Sequence, residues 1–589
     1  ETGLGERVAL RELPAGGAPE ERSLTWRAWD EASRSFASAL VADGHPSGGT
    51  VTVWADNRLE WPVADLGALR CGMVGMGVYP SSAPRQVREQ LDDAGATALV
   101  VDSSERLEVA LDLTETVPSL RRVVVGRRVQ AAGDAVAWDA WLETGARSLE
   151  GGDGTADELA ARGEQLAPGD DAVLIYTSGT TGEPKGARIS HRCLLASARS
   201  IRDVLELTGD DSALSFLPYS HAAERVFGLY TRVLCGMEAG LVAEPARVWE
   251  AARDYGPTLF GAVPRHFEKL HERLLAPRRA TEGTEQRRRD ETLELGLRRS
   301  RIRREGGQVP ADLEARWRER GAPLLERARD ALGGRVRRLS SGGGRLSPGV
   351  GEELDALGLT VLGAYGLTEH LCVAFNRPDR YDFESSGPPM PGTELRIASD
   401  GEIQVRRGDL TFSGYLGRPA ATEAAFTDDG EWLRTGDLGR LDDRGFLRVT
   451  GRKKDVIALS TGKTVAVAPI ESALAEDPLV QAAVVAGDGR RFVSAVLAPR
   501  RNAVERWASE HGLGDEGFPG VLRRPELRER LREAVDRVNG SLSRTESVRE
   551  FVVLERELST DDGDLTATGT VRRSRLLDEA RDRLEALYG

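Results

Sequence analysis

An apolar, strand-forming run, Asp171-Ala-Val-Leu-Ile-Tyr176, leads directly into Thr177-Ser-Gly-Thr-Thr-Gly-Glu-Pro-Lys185-Gly186. No other feature constrains the fold as much. A buried strand that ends in a glycine- and hydroxyl-rich turn is the way α/β sheets present a loop to a ligand. Gly179, Gly182 and Gly186 let backbone approach a ligand where a side chain would clash. Thr177, Ser178, Thr180 and Thr181 add hydroxyl donors, and Lys185 adds a mobile positive charge. Successive backbone N–H groups in such a loop form a nest for polyphosphate. The spacing is not the Walker pattern, because no Gly-Lys-Ser/Thr follows at the required distance. A flexible surface turn is the plainer alternative. The strand before the loop and the lysine that closes it favour a nucleotide phosphate loop of a non-Walker kind.

At 589 residues, 40% of them apolar, the chain has material for two or more hydrophobic cores. No stretch is long and apolar enough to read as a membrane span, and the N-terminus carries no signal-peptide pattern. The numbering opens on Glu1 rather than methionine, which leaves room for an upstream piece. Cys71, Cys193, Cys235 and Cys372 lack metal-ligand spacing, which fits a reducing, cytoplasmic setting. A net charge of −14 argues against general nucleic-acid binding and for a soluble protein. Only five of the 80 basic residues are lysines, and Lys185, Lys453, Lys454 and Lys463 all fall in segments singled out here for function.

Strand patterns at Val51–Ala55 and Ala98–Asp102 alternate with helical ones near Glu60–Arg70 and Arg85–Asp93. That alternation predicts an α/β unit with a largely parallel sheet. Gly151 to Gly169 reads as a Gly/Asp/Glu-rich linker, and the charged stretch from Leu270 to Leu332 as a solvated pair of helices broken at Gly306, Gly307 and Pro310. Strands and glycine turns return at Ser340–Gly344 and Leu359–Tyr365. Short strands and tight turns over residues 394–450 suggest a β-rich module. A charged junction at Gly451–Asp455 then opens a separate α/β domain of about 140 residues. No internal repeat is visible.

Several motifs, taken in order, resemble the adenylate-forming superfamily over nearly the whole chain. The loop at residues 177–186 resembles its first signature. Ala364-Tyr365-Gly366-Leu-Thr368-Glu369-His370 resembles its second. The resemblance implies that Tyr365 and Gly366 pack on adenine, Thr368 contacts the α-phosphate and Glu369 holds Mg²⁺. Thr435-Gly-Asp437 resembles the motif whose aspartate accepts from the ribose hydroxyls, and Arg452 corresponds to an arginine near ribose and phosphate. Ala364 and Gly343 belong to the implied nucleotide pocket. Ser215–Val226, Ala262–Lys269 and Ser460–Val465 resemble long-chain fatty acyl-CoA synthetases, in which His221 helps orient the acid. Read alone, Glu369 is a surface carboxylate, Thr435–Asp437 an ordinary turn, and His221 a capping or core histidine.

The resemblance implies a large N-terminal domain of two α/β subdomains plus a distorted β-barrel over residues 1–450. A small mobile C-terminal α+β domain over residues 451–589 would cap the active site and turn about Lys454. It implies ATP-dependent adenylation of a fatty or aryl acid, then transfer to coenzyme A, with ATP, Mg²⁺ and CoA as cofactors or co-substrates. The catalytic candidates are Thr180, His221, Glu369, Lys454 and the position of Thr570. The partner is a small-molecule acid, with no nucleic acid and no obligate protein partner in view. A fatty substrate leaves room for peripheral membrane contact.

One departure stands out. Where the family carries a catalytic lysine, in a stretch like Leu-Thr-Pro-Thr-Leu-Lys, this chain reads Leu565-Thr-Ala-Thr-Gly-Thr570-Val-Arg-Arg573. Thr570 has no charge to bridge carboxylate and α-phosphate, and Arg572 and Arg573 are the nearest substitute cations. Gly344-Arg345, where Ala-Pro is usual, and His370 fall near the implied acyl pocket. Three explanations compete: an engineered residue, slow adenylation with a substitute cation, or diverged chemistry. The last includes an ATP-dependent diazotase that activates nitrite for an aromatic amine. A nucleotide-binding pseudoenzyme is a further alternative.

Overall fold

Strands alternating with helices, from Val8 to Tyr415, form two eight-stranded sheets. A computed structural model describes residues 3–14, 22–177, 184–275, 283–461, 463–559, 562–565 and 571–589. It divides into two compact units. The first comprises Glu1–Arg396, Gln404–Arg434 and Asp442–Leu447, and the second Ile397–Ile403, Thr435–Leu441 and Arg448–Gly589.

One sheet of the first unit runs in the order Gly414–Tyr415, Lys185–Ser190, Asp171–Thr177, Val74–Gly77, Thr50–Trp54, Ala96–Val101, Arg122–Val125, Val136–Ala137. From Asp171–Thr177 onward the neighbours are parallel, while Lys185–Ser190 and Gly414–Tyr415 add antiparallel strands at one edge. Parallel strands are covered on both faces, and Thr50–Trp54 and Ala96–Val101 are accordingly buried at every position. The other sheet runs His370–Phe375, Val361–Leu367, Arg338–Ser341, Leu259–Ala262, Ser212–Ser215, Glu238–Leu241, Val8–Glu12, Arg22–Thr25. Its six inner strands are parallel and its two edges antiparallel.

Two expectations need correction. The segment read as a linker holds a helix, Thr155–Gln165. Gly154 turns into it at φ +88°, the amide of Thr155 donates to Asp153, and Asp157 and Glu158 lie where the helix dipole favours negative charge. Arg162 docks it by donating to the carbonyl of His45 at 2.9 Å. The acidic residues that give the segment its linker-like composition are those of the helix's first turn. The charged stretch after Lys269 does form helices, Gly283–Arg304 and Ala311–Asp330, but they pack rather than merely face solvent. Trp317 is buried and donates to the carbonyl of Ala356 at 2.8 Å, and a Cβ at Gly296 would lie 2.3 Å from that same carbonyl.

In the second unit, Val480–Ala486, Val493–Pro499 and Val548–Val553 form a three-stranded sheet. Val467–Ala475, Arg501–Glu510 and Pro525–Asn539 supply Ile470, Val504, Leu527, Leu531 and Val535 to the same core as its strands. Among the described residues, no helix is long and apolar enough to cross a membrane.

Candidate active site

In open α/β sheets ligands collect beyond the carboxyl ends of the strands, and in the first unit the sequence candidates gather there. Asp171–Thr177 and Lys185–Ser190 form an antiparallel hairpin in which Thr177 is paired with Lys185. Ser178, Gly179, Thr180, Thr181 and Gly182 lie between them, outside the described residues. Lys185 leaves the hairpin with its ammonium 5.4 Å from the centre of the Tyr415 ring.

Tyr415 links this loop to the second signature. Its hydroxyl donates to the carboxylate of Glu369. Burial and the adjacent carboxylate push the phenol well above its ordinary range, so Tyr415 stays a neutral donor. Glu369 sits with Thr368 at the tip of a two-residue hairpin, because Leu367 pairs with His370 across it. Tyr365 and Ala364 precede the tip, paired with Ala374 and Phe375. Gly366 is where the hairpin's register slips, and a Cβ there would lie 2.4 Å from the carbonyl oxygen of Leu371. Only glycine fits that approach.

Gly342–Gly344 follow the neighbouring strand Arg338–Ser341. Gly343 takes φ +75°, and a Cβ on Gly344 would stand 3.4 Å from Pro264, which opens the helix after the neighbouring strand Leu259–Ala262. Arg345 is exposed. His221 follows Ser212–Ser215, the strand beside that one. Its Nδ1 accepts from the amide of Ala223 at 3.1 Å, its ring lies edge-on to Tyr79 at 6.5 Å, and burial lowers its pKa. The imidazole is therefore neutral with its proton on Nε2. His370 is otherwise occupied. It is 1% exposed, its two ring nitrogens meet the hydroxyls of Thr393 (2.9 Å) and Thr411 (3.4 Å), and burial lowers it to about 4. It is a core residue of the hairpin.

The remaining candidates belong to the second unit. Asp437 is largely buried and lies 3.3 Å from Arg452, in a turn where Gly436 has φ +70° and its amide donates to Glu402 at 3.0 Å. Lys453 pairs with Asp400 at 2.6 Å and Glu402 at 3.3 Å. Burial and the nearby Arg452 pull Lys454 below the ordinary lysine pKa. Thr570 lies outside the described residues. Leu565 and Val571 pair across the segment that contains it, and Asp564, fully buried, accepts from Arg556 and Arg575 at the base. Arg573 is committed elsewhere: it pairs with Glu471, donates to the carbonyl of Val485 at 3.1 Å and lies 3.9 Å from Asp455. Arg572 is exposed.

Tyr415 and the buried cluster around Asp65 and Arg225 escaped the sequence reading. Tyr415 belongs to a two-residue strand, too short for any period to show. The Asp65–Arg225 pair spans 160 residues.

Among the described residues no group of three or more His, Cys, Asp or Glu is placed to hold a metal ion. Glu369 alone suits a Mg²⁺ that takes one carboxylate and fills its shell with phosphate oxygens and water.

The AMP-binding enzyme family matches residues 3–416, and the AMP-binding enzyme C-terminal domain matches residues 454–589. A long-chain-fatty-acid–CoA ligase of Mycobacterium bovis, FadD15, is 33% identical over 94% of this chain and 90% of its own length. Human long-chain-fatty-acid–CoA ligase 1 is 27% identical over 96% of this chain and 82% of its own. Among solved structures, the anthranilate CoA ligase AuaEII in complex with anthranoyl-AMP matches with a TM-score of 0.71 at 19% identity, covering 98% of this chain and 95% of that one. The adenylation domain of a carboxylate reductase from Mycobacterium chelonae also gives 0.71, at 24% identity, over 100% and 89%. The two structures establish the shared fold. With most of its length matched, the chain belongs to the AMP-binding enzyme family, on the long-chain fatty acyl-CoA synthetase-like branch of the adenylate-forming superfamily, and is an AMP-forming ligase.

Proposed function

We propose that the protein activates a carboxylic acid with ATP as an acyl-adenylate and passes the acyl group to coenzyme A, with a long-chain fatty acid as the acid. The substrate class follows the named activities of the relatives. The observation that carries the reading is Tyr415, which brings the lysine closing the first signature and the glutamate of the second to one neutral side chain.

In this reading the loop from Thr177 to Lys185, with Ser178, Gly179, Thr180, Thr181 and Gly182, cradles the phosphates. Gly343, Ala364, Tyr365 and Gly366 receive the adenine, Thr368 the α-phosphate, and Asp437 and Arg452 the ribose. Glu369 would hold a Mg²⁺, which would supply positive charge to the phosphate oxygens during attack at phosphorus. His221 donates from Nε2 to the acid and sets its approach; catalysis is mostly positioning. Lys454 is the pivot for the second half-reaction. ATP, Mg²⁺, coenzyme A and a panel of acids then yield AMP, pyrophosphate and thioester. Absence of acid-dependent pyrophosphate release with every acid would sink the proposal.

A second reading is supported by Thr570 together with the engagement of Arg573, which removes one substitute cation. Here the adenylate goes to a non-thiol acceptor, with nitrite activated for an aromatic amine. It requires AMP release from nitrite, amine and ATP without CoA, and a strict need for CoA excludes it.

A further inference from the structure

After the strand Ser212–Ser215 and the turn bearing His221, the chain winds through seven residues of π-helix, Glu224–Tyr230. Such wide turns are rare and concentrate at functional sites. This one carries two ionisable side chains inward: Glu224 is 5% exposed and Arg225 0%. Arg225 Nη2 donates to the carboxylate of Asp65, on the helix Glu60–Arg70, and the Tyr230 hydroxyl donates to the other oxygen at 2.5 Å. The guanidinium lies 4.7 Å from the centre of the Trp61 ring, while its buried Nε and Nη1 have no hydrogen-bond partner. Glu224 accepts from Ser215 Oγ, which in turn receives Arg232 Nη1 at 2.7 Å and lies 2.8 Å from the Tyr219 hydroxyl. Glycines clear the space. A Cβ on Gly75 would stand 2.3 Å from Asp65 Oδ1, and one on Gly228 2.1 Å from Glu224 Oε1.

Buried ion pairs seldom improve on well-packed apolar residues for stability, and their attested use is to select one geometry. The geometry selected here is the turn at residue 221. Tyr219, Glu224 and Arg225 bracket His221 in sequence. The amide of Arg225 donates to the His221 carbonyl at 3.0 Å, and the amide of His221 to Pro218 at 2.9 Å. The amide of Ala223 holds Nδ1. We propose that the Asp65–Arg225–Tyr230 cluster is a positioning device for His221, fixing its ring so that the Nε2 proton is offered to the acid. The proposal rests on the acid-activating reading above and adds three residues, none of which touches substrate.

The test is a double-mutant cycle. Arg225→Met with Asp65→Leu removes both charges together, so neither is left buried alone. The expected result is that cooperative melting and the KM for ATP are retained while kcat/KM for the acid falls about tenfold, the same drop expected of His221→Ala by itself. Adding His221→Ala to the paired variant costs nothing more, because the ring is already misplaced. Unchanged kcat/KM in the paired variant overturns the proposal, as does a loss that multiplies with that of His221→Ala. Should the paired variant not fold, Tyr230→Phe removes a single hydrogen bond and enters the same cycle. A drop of about threefold, absent in the His221→Ala background, supports the proposal; no drop, or a multiplicative one, overturns it. Failure of the underlying reading registers separately, as missing acid-dependent pyrophosphate release from the unsubstituted chain, and takes the proposal down with it.

Discussion

The two charged regions nearest the signature motifs are built on different plans. In the first unit Lys185 and Glu369 share a neutral partner, Tyr415. In the second, four carboxylates each face a cation: Asp437 meets Arg452, Asp400 and Glu402 meet Lys453, and Glu471 meets Arg573. A charge held by a neutral hydroxyl or ring keeps most of its field for a ligand, whereas a charge held by its opposite is largely cancelled. The second region pairs its charges within its own chain, and at position 570 it has a threonine where the family carries a lysine.

Supplying that cation is the sharpest test of the contrast. Thr570→Lys is expected to raise acid-dependent pyrophosphate release by roughly 10²- to 10³-fold; no gain would mean that the missing charge is not what limits the chemistry. On the other side, Glu369→Gln keeps a hydrogen-bond acceptor for Tyr415 but removes the charge, and is expected to lower adenylation roughly 10²-fold. An unchanged rate across a magnesium titration would break the idea that Glu369 keeps its field for a ligand.

Arg573→Met should act on stability instead, costing about 2 kcal/mol because it strands Glu471, whose carboxyl burial already holds above the usual range. Denaturant melts of the second unit read this directly, and a comparable fall in adenylation without destabilisation would restore Arg573 as a substitute cation.

The smallest effect is a pH dependence in the first unit. His370 has its folded pKa lowered to about 4, from the ordinary 6.5. The unfolded chain therefore binds the extra proton first as pH falls, and stability is complete above pH 6.5 and declines toward pH 4. His370→Gln is expected to remove about 1–2 kcal/mol of the loss between pH 7 and 5. Parallel melting curves for both proteins would assign the acid sensitivity elsewhere.

Local pattern carried a good part of the fold. The strand at Asp171–Thr177, the helix at Glu60–Arg70 and the breaks at Gly306 and Pro310 were all legible, because period and punctuation act over a few residues. The helix Thr155–Gln165 was not: its dock onto His45 lies more than a hundred residues away in sequence.

For the site, the resemblance of motifs in order was enough to name the family and its candidate ligand-bearing segments, since close backbone approach and phosphate charge demand particular residue types at particular offsets. Tertiary structure alone decided which groups are still available. Tyr415 joins Lys185 to Glu369, His370 is consumed by two threonines, Arg573 by Glu471, and Arg225 lies buried on Asp65. The reason is physical: residue type sets what a side chain can offer, but whether the offer is already taken depends on neighbours that only folding brings within reach.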